Sequence, residues 1–188
     1  MSGKVSMSKF ISRDTHLVIT ALGSDRPGIV NELTKACADY NCNILDSRMT
    51  VLGEEFSIMM LVSGSWDAVA KLEGAVPNLA RKLELTTTIK HTRPREPKRS
   101  YTYNVNVIAL DSPGIVHEIA GFFARMNINI QDLESGSYAA PHTGTQMFSL
   151  NMIVDIPADT HLASLRDEFM MFCDDRNLDA VMEPVRAI

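Results

Sequence analysis

The chain has 188 residues, of which 45% are apolar and 22% charged, and its formal net charge is −5. This composition suits packed domains but gives little support for binding DNA through its phosphates, which requires a basic face. The three cysteines show neither CxxC nor CxH spacing, so we expect no disulfide framework and no zinc site. They are better explained as small apolar residues in a reducing compartment.

The N-terminal residues 1–13 are polar and lack the apolar run that a signal peptide needs. The sequence contains no apolar run of about 18 residues, the length that would span a membrane. These features predict a soluble cytoplasmic protein.

Apolar periodicity in the first half predicts a strand, a helix, a hairpin of two strands, a second helix and a last strand. The segments that carry these predictions are 16–22, 27–40, 44–52, 55–63, 65–83 and 85–91. Pro27 fixes φ where the first helix is expected to begin, with Asp25 as its N-cap. Ser65 is the predicted N-cap of the second helix, and Pro77 is expected to kink or split that helix near Val76.

The sequence repeats itself after 86 residues. Asp25-Arg26-Pro27-Gly28-Ile29-Val30 returns as Asp111-Ser112-Pro113-Gly114-Ile115-Val116, and 11 of the 22 positions from Asp25 to Asp46 are identical at this offset. The same order of elements follows in the second half, at 103–110, 113–126, 130–137, 146–156, 162–172 and 177–185. A repeat of this kind indicates two copies of one module.

The order β-α-β-β-α-β, present twice, predicts two ferredoxin-like units. This is an α+β fold with a four-stranded antiparallel sheet and both helices on one face. We expect a first domain over 14–91, a linker over 92–100 and a second domain over 101–186. The linker has two prolines and alternating charge, which favours a solvated hinge over a nucleic-acid contact. The uncovered face of each sheet is solvated or meets a partner, so oligomers are expected.

The Asp-x-Pro-Gly corner is the place in each half that offers special chemistry. Gly28 and Gly114 have no Cβ, so a ligand can approach the backbone closely. The unpaired N–H groups of the first helical turn and the helix dipole favour a carboxylate, and Asp25 or Asp111 can accept an ammonium group. One corner therefore complements both ends of an amino acid. The same residues also form a strand-to-helix turn without any ligand, and this alternative stays open.

Both halves resemble ACT domains, small regulatory modules that bind amino acids and share this order of elements. The resemblance rests on the two Asp-x-Pro-Gly-Ile-Val segments together with Asn43-Ile44 and Asn129-Ile130. It implies ligand contacts from the corners and the asparagines: Asp25, Pro27, Gly28, Ile29, Asn43, Asp111, Pro113, Gly114, Ile115 and Asn129. It also implies that such sites often lie between two ACT units. Because Ser112 replaces Arg26, the two corners are expected to differ in affinity.

A chain of two ACT units is similar to a family of transcriptional repressors that have no DNA-binding domain of their own. Residues 55–66 and 140–150 add to this similarity. The resemblance implies a homo-oligomer that restrains a LysR-type activator of the glycine cleavage genes by protein contact, with glycine relieving the block and no direct nucleic-acid binding. The alternative is a free-standing ACT regulatory subunit that docks on an enzyme of amino-acid or one-carbon metabolism.

No catalytic set stands out in the sequence. It contains no P-loop, no GxGxxG after a strand, no HExxH and no GxSxG. We therefore predict no catalytic residue, no metal site and no cofactor, and do not expect an enzyme. His142, in the loop from Pro141 to Thr145, is either a ligand or partner contact or a solvated loop histidine.

Overall fold

The structure, a computed structural model, describes residues 14–94 and 99–185. These residues form two compact units. The first contains β1 (Thr15–Ser24), α1 (Ile29–Asp39), β2 (Asn43–Leu52), β3 (Glu55–Gly64), α2 (Trp66–Leu83) and β4 (Thr86–Thr92). The second contains β5 (Ser100–Leu110), α3 (Ile115–Arg125), β6 (Asn129–Ala139), β7 (Gln146–Pro157), α4 (Leu162–Asp174) and β8 (Asp179–Pro184).

Some predictions concern residues that lie outside the described part of the chain. They are the polar N-terminus 1–13, residues 95–98 of the predicted linker and residue 186 at the predicted end of the second domain. The bounds of the linker therefore stay a prediction. Within the described ranges, no helix is long and apolar enough to cross a membrane.

Each unit holds one antiparallel sheet, with strand order β2-β3-β1-β4 in the first and β6-β7-β5-β8 in the second. The predicted β-α-β-β-α-β order is confirmed in both units, and with it the α+β fold. The pairing of β2 with β3 shifts register between Ile44 and Asp46, and the pairing of β6 with β7 shifts between Ile130 and Asp132. The two bulges lie at equivalent positions of the repeat, so the copies share even this local irregularity.

One face of each sheet packs against the two helices of its unit. In the first unit alternate residues of β1 and β3 are buried together with the apolar stripes of α1 and α2. In the second unit four aromatic side chains from both helices contribute to this layer, and their neighbouring ring centroids lie 5.0 to 6.4 Å apart: Phe122, Phe123, Phe169 and Phe172. Each core thus fixes the position of the two helices on the sheet of the same unit.

The first helix of each unit begins later than the sequence predicts. We expected Pro27 at the first helical position and Asp25 as the N-cap, but α1 begins at Ile29 and Gly28 is the N-cap. Gly28 has φ 97°, a left-handed conformation that a helix cannot contain, so the helix starts only after it. The backbone of Asp25 is instead bonded to the neighbouring hairpin, which places this residue at the end of the strand.

The second helix of the first unit behaves partly as predicted. The backbone N–H of Ala68 donates to Oγ of Ser65 at 3.2 Å, which confirms the predicted N-cap. The predicted split near Val76 is wrong, because α2 continues through Pro77 to Leu83. Pro77 lies on the exposed side of the helix, where the carbonyl that loses its partner can bond to water.

The two hairpins differ in the length of the loop that connects their strands. Gly53, with φ 63°, and Glu54 form the tight turn between β2 and β3. Between β6 and β7 the loop comprises residues 140–145. It is closed by two backbone hydrogen bonds of 2.9 Å, from Ala140 N–H to Thr145 O and from Gly144 N–H to Ala140 O. His142 is exposed in this loop.

Candidate functional site

The first corner joins the end of β1 to the start of α1. The backbone N–H of Asp25 donates to the carbonyl oxygen of Glu54 at 2.9 Å, which ties the corner to the β2–β3 turn. The carbonyl of Gly28 accepts the N–H of Glu32 at 3.0 Å and closes the first helical turn. Among the described residues no side chain caps this helix end. The N–H groups of its first turn are therefore available to a ligand.

The second corner repeats this geometry. The N–H of Asp111 donates to the carbonyl oxygen of Gln146 at 3.1 Å, and the carbonyl of Gly114 accepts the N–H of Glu118 at 3.0 Å. Gly114 is the N-cap, with φ 102°, and within 99–185 no side chain caps the helix. The protein therefore presents two helix starts of the same shape, each of which favours a negatively charged group.

The backbone conformation alone accounts for both corner glycines. Gly28 and Gly114 lie in the left-handed region, which glycine adopts without steric cost. A Cβ placed on either glycine would meet no atom within 4 Å. The space over each corner is therefore open, as ligand approach requires. Glycine is needed there with or without a ligand, so its presence does not decide between a binding site and a plain turn.

The other predicted corner residues divide into exposed and buried groups. Asp25 and Asp111 are exposed, as are the prolines that follow them. Ile29 and Ile115 are only 1% and 7% exposed, so their side chains belong to the cores. These isoleucines therefore offer no side chain to a ligand. Each corner thus combines free helical N–H groups with an exposed carboxylate.

The structure does not bring Asn43 to the corner of its own unit. Asn43 is paired with Ser63, and Ser63 with His16 near the beginning of β1, whereas Asp25 follows the last residue of that strand. At about 3.3 Å per residue, the nine steps from His16 to Asp25 correspond to about 30 Å. Asn129 is displaced from Asp111 in the same way, because it is paired with Asp155 at the far end of the second sheet. One corner therefore cannot use the asparagine of its own unit.

The two corners differ in one cationic side chain. Nη2 of Arg26 donates to the carbonyl oxygen of Leu83 at 2.9 Å, so the guanidinium group lies at the C-terminal end of α2. Ser112 occupies this position in the second corner. The first corner therefore has a positive charge at this position that the second lacks, and the difference in affinity stays a prediction.

A charge pair that the sequence did not predict lies beside each corner. Lys82 Nζ lies 3.1 Å from Oε2 of Glu32, and Nε of Arg176 lies 2.7 Å from Oε2 of Glu118. The Arg176 guanidinium also stacks on the ring of Phe172, 4.0 Å from its centroid. Each cation offsets a glutamate charge that would otherwise repel a ligand carboxylate. The signal in the sequence that could have revealed these pairs is that Glu32 and Glu118 are the same residue type at equivalent positions of the repeat.

Two further concave surfaces are found among the described residues, and the first of them borders Glu32 and Lys82 beside the first corner. A groove of about 600 Å³ separates α1 from α2, where Ala36, Gly74 and Ala75 leave room between the helices. A pocket of about 420 Å³ lies on the second sheet and involves β5, β6 and β7. Neither was predicted, because both depend on how separate elements pack.

The cysteines lie in the cores and not at the corners. All three are buried and free. Burial raises the pKa of the Cys37 and Cys173 thiols to about 11, so both stay protonated near neutral pH. Residues 14–94 and 99–185 contain no cluster of three or more His, Cys, Asp or Glu side chains that could hold a metal ion.

Comparison with protein families agrees with this architecture. Residues 15–90 match one model of the ACT domain and residues 103–169 match another. The two matches fall on the two structural units, so the chain is a protein of two tandem ACT domains.

Individual relatives define the family more narrowly. The chain is 36% identical over 169 residues to the glycine cleavage system transcriptional repressor of Escherichia coli K12, covering 89% of this chain and 88% of that protein. It therefore belongs to the family of that repressor. It is also 35% identical over 79 residues to a UPF0237 protein of Methanopyrus kandleri, covering 41% of this chain and 88% of that protein.

Two solved structures share the fold over nearly the whole chain. One, a candidate glycine cleavage system transcriptional repressor, is 30% identical with a TM-score of 0.70, covering 94% of this chain and 100% of the other. The other is described only as an unknown protein from Galdieria sulphuraria; it is 25% identical with a TM-score of 0.79, covering 92% of this chain and 99% of the other.

Proposed function

We propose that the protein senses a small amino acid, with glycine as the first candidate, and regulates transcription of the glycine cleavage genes. The observation that carries this proposal is the pair of uncapped helix starts, each with an exposed aspartate beside it. The helical N–H groups bind the carboxylate of the amino acid, and Asp25 or Asp111 binds its ammonium group. Membership in the repressor family supports glycine as the ligand.

The regulated partner in this proposal is a LysR-type transcriptional activator. A net charge of −5 argues against direct binding to DNA, so repression proceeds through protein contact in the cytoplasm. The protein acts as a regulator and not as an enzyme, in keeping with its two ACT domains. Glycine relieves the block when it binds.

Because Asp25 and Asn43 lie at opposite ends of their sheet, we propose that another ACT unit supplies the asparagine that completes a corner. A second copy of the chain provides such a unit, so the sensing form is a homo-oligomer. Ligand binding then favours the arrangement in which corner and asparagine meet. A coupling of about 1–3 kcal/mol is typical of such population shifts.

Calorimetric titration with glycine, serine and alanine tests the sensor. We expect glycine to bind at millimolar concentration or below. Asp25→Asn and Asp111→Asn each remove one charge-assisted contact, worth about 1.5–3 kcal/mol, and should weaken binding at their own corner about tenfold or more. Asp39→Asn is a matched control, because Asp39 is an exposed carboxylate at the other end of α1. If no amino acid binds at millimolar concentration, the sensor proposal is wrong.

A second measurement tests the partner. The purified LysR-type activator of the same organism should bind the immobilised chain, and glycine should release it. An activator that does not bind the intact chain would contradict regulation by direct contact, whatever the result of the glycine titration.

A further inference from the structure

The face of the second sheet that turns away from its helices carries four rows of side chains, which we call the open face. Residues paired directly across neighbouring strands share a row. Taken across β6, β7, β5 and β8, the rows are Asp132, Ile153, Asn104, Glu183; Glu134, Asn151, Asn106, Val181; Gly136, Ser149, Ile108, Asp179; and Tyr138, Met147, Leu110.

The pocket of about 420 Å³ lies in the middle of the open face, between the second and third rows. The polar residues that line it on the open face are Asn106, Asn151, Glu134 and Ser149, and Ser135 of β6 also contributes to the lining. The Ser149 hydroxyl donates to the carbonyl oxygen of Gly136 at 3.4 Å. A space of this size accepts a long side chain or a small molecule.

Gly136 opens the pocket, and the fold does not require a glycine there. It lies inside β6, is not among the glycines with left-handed φ, and a Cβ at this position would meet no atom within 4 Å. A glycine inside a strand costs about 0.5–1 kcal/mol relative to alanine. Such glycines often mark a place where a ligand or another chain approaches closely.

The surroundings of the pocket are both acidic and apolar. The four rows contain four exposed carboxylates and neither lysine nor arginine: Asp132, Glu134, Asp179 and Glu183. They also contain exposed large apolar side chains: Ile108, Leu110, Tyr138 and Val181. Apolar groups of this number beside a polar pocket are typical of an interaction surface. The negative charge selects a cationic guest.

The equivalent rows of the first unit carry different side chains. Arg48 is paired with Met59 and Met59 with Thr20, where the second unit has Glu134, Asn151 and Asn106. Thr50 stands in place of Gly136. Because both copies fold in the same way, an acidic lining at these rows is not a requirement of the fold. It distinguishes the second copy.

We propose that the open face of the second ACT domain docks a protein partner that inserts an arginine side chain into the pocket at Gly136. Glu134 accepts a bidentate pair of hydrogen bonds from the guanidinium group, and the carboxamide oxygens of Asn106 and Asn151 accept its remaining donors. The aliphatic part of the arginine packs on Ile108, and apolar residues of the partner cover the exposed side chains around the pocket.

A protein fits this surface better than a small amine, because a small amine would leave the apolar side chains exposed. A second copy docked through the same face would bring the carboxylates against one another. The inference rests on the proposed function in one respect only, that the occupant is the regulated protein.

Two probes test the docking surface with the intact chain. The first is N-acetyl-arginine methylamide, titrated into isotope-labelled protein and followed by NMR. We expect the amide signals of Asn106, Gly136 and Ser149 to shift, and Gly136→Thr, which introduces the residue of the first copy, to abolish the shifts. The second is the purified LysR-type activator, whose affinity should fall at least tenfold with Gly136→Thr and with Glu134→Gln. Thr50→Val in the first unit is the matched control and should change neither result.

The same variants show whether a loss of activator binding comes from a loss of folding. Gly136→Thr should unfold at the same temperature as the parent or higher, because threonine suits a strand better than glycine. It should also bind glycine as the parent does. An activator that binds Gly136→Thr with the parent's affinity overturns this inference and leaves the sensor intact. An activator that does not bind even the parent contradicts the proposed function, and the arginine probe then decides the pocket alone.

Two further results would overturn the choice of occupant. Ethylammonium at the same concentration, if it shifts the same signals equally, would make the pocket a site for small cations. Sedimentation in which the parent self-associates and Gly136→Thr does not would identify a second copy as the occupant.

Discussion

The glycines of this protein have two different physical explanations. At some positions the backbone conformation requires a glycine, and at others a side chain would fill a space that is open. Gly28 and Gly114 satisfy a left-handed φ and would be glycine in an unliganded turn as well. Gly136 satisfies no such requirement, and its missing side chain opens a pocket. The fold therefore explains Gly28 and Gly114, whereas Gly136 is explained by the proposed approach of a partner to the sheet.

The buried thiols give the stability of the protein a pH dependence with a definite sign. Burial raises the pKa of Cys37 and Cys173 to about 11 from an ordinary value of 9.0. The folded state holds these protons more tightly than the unfolded chain, so the stabilisation is complete below about pH 9 and is lost as the pH rises towards 11. In urea titrations, the free energy of unfolding should fall in this range by about 1.4 kcal/mol per pH unit for each thiol.

The double variant Cys37→Ala/Cys173→Ala is the control, since it retains every other ionisable side chain of the protein. The parent should lose stability with pH more steeply than this variant. Equal slopes would show that the thiols keep their ordinary pKa in the fold.

At the scale of elements, α2 contains a local conflict between sequence and structure. Pro77 is the twelfth of its 18 residues, so one backbone hydrogen bond is missing inside a continuous helix. Pro77→Ala restores that bond on an exposed side of the helix and should raise the free energy of unfolding by about 1–2 kcal/mol in urea titrations. Gly74→Ala, also exposed in α2, is the comparison and should raise it by about 1 kcal/mol. If Pro77→Ala lowers stability, the proline itself contributes packing that the helix needs.

At the scale of the whole molecule, the two units have separate hydrophobic cores. One buried cluster contains only residues of the first unit and the other only residues of the second. Leu72→Ala removes a fully buried side chain from the first core and should destabilise that unit by about 2–5 kcal/mol. Residue-resolved hydrogen exchange should then show faster exchange in β1 and β3, with the amides of β5 and β7 largely unchanged. Equal loss of protection in both units would mean that they unfold as one cooperative body.

The fold could be predicted because its signals are local and occur twice. Strand alternation, helical stripes and the 86-residue repeat are properties of neighbouring residues, and the order of elements they define is the order observed. The helix starts were misplaced by two residues, because a proline is compatible with a first helical position and the sequence does not reveal the left-handed glycine after it. The split at Pro77 was predicted wrongly, because the solvent exposure of that side of α2 depends on the tertiary structure.

The sequence by itself determined that this protein is a tandem of two ACT units with a polar, glycine-containing corner in each. Only the tertiary structure decided which residues meet. It separates Asn43 from Asp25 along the length of β1, and it gathers Asn106, Glu134, Gly136 and Ser149 from three strands around one pocket. The physical reason is that strand register, which packing and bulges set across the sheet, determines neighbours that are distant along the chain.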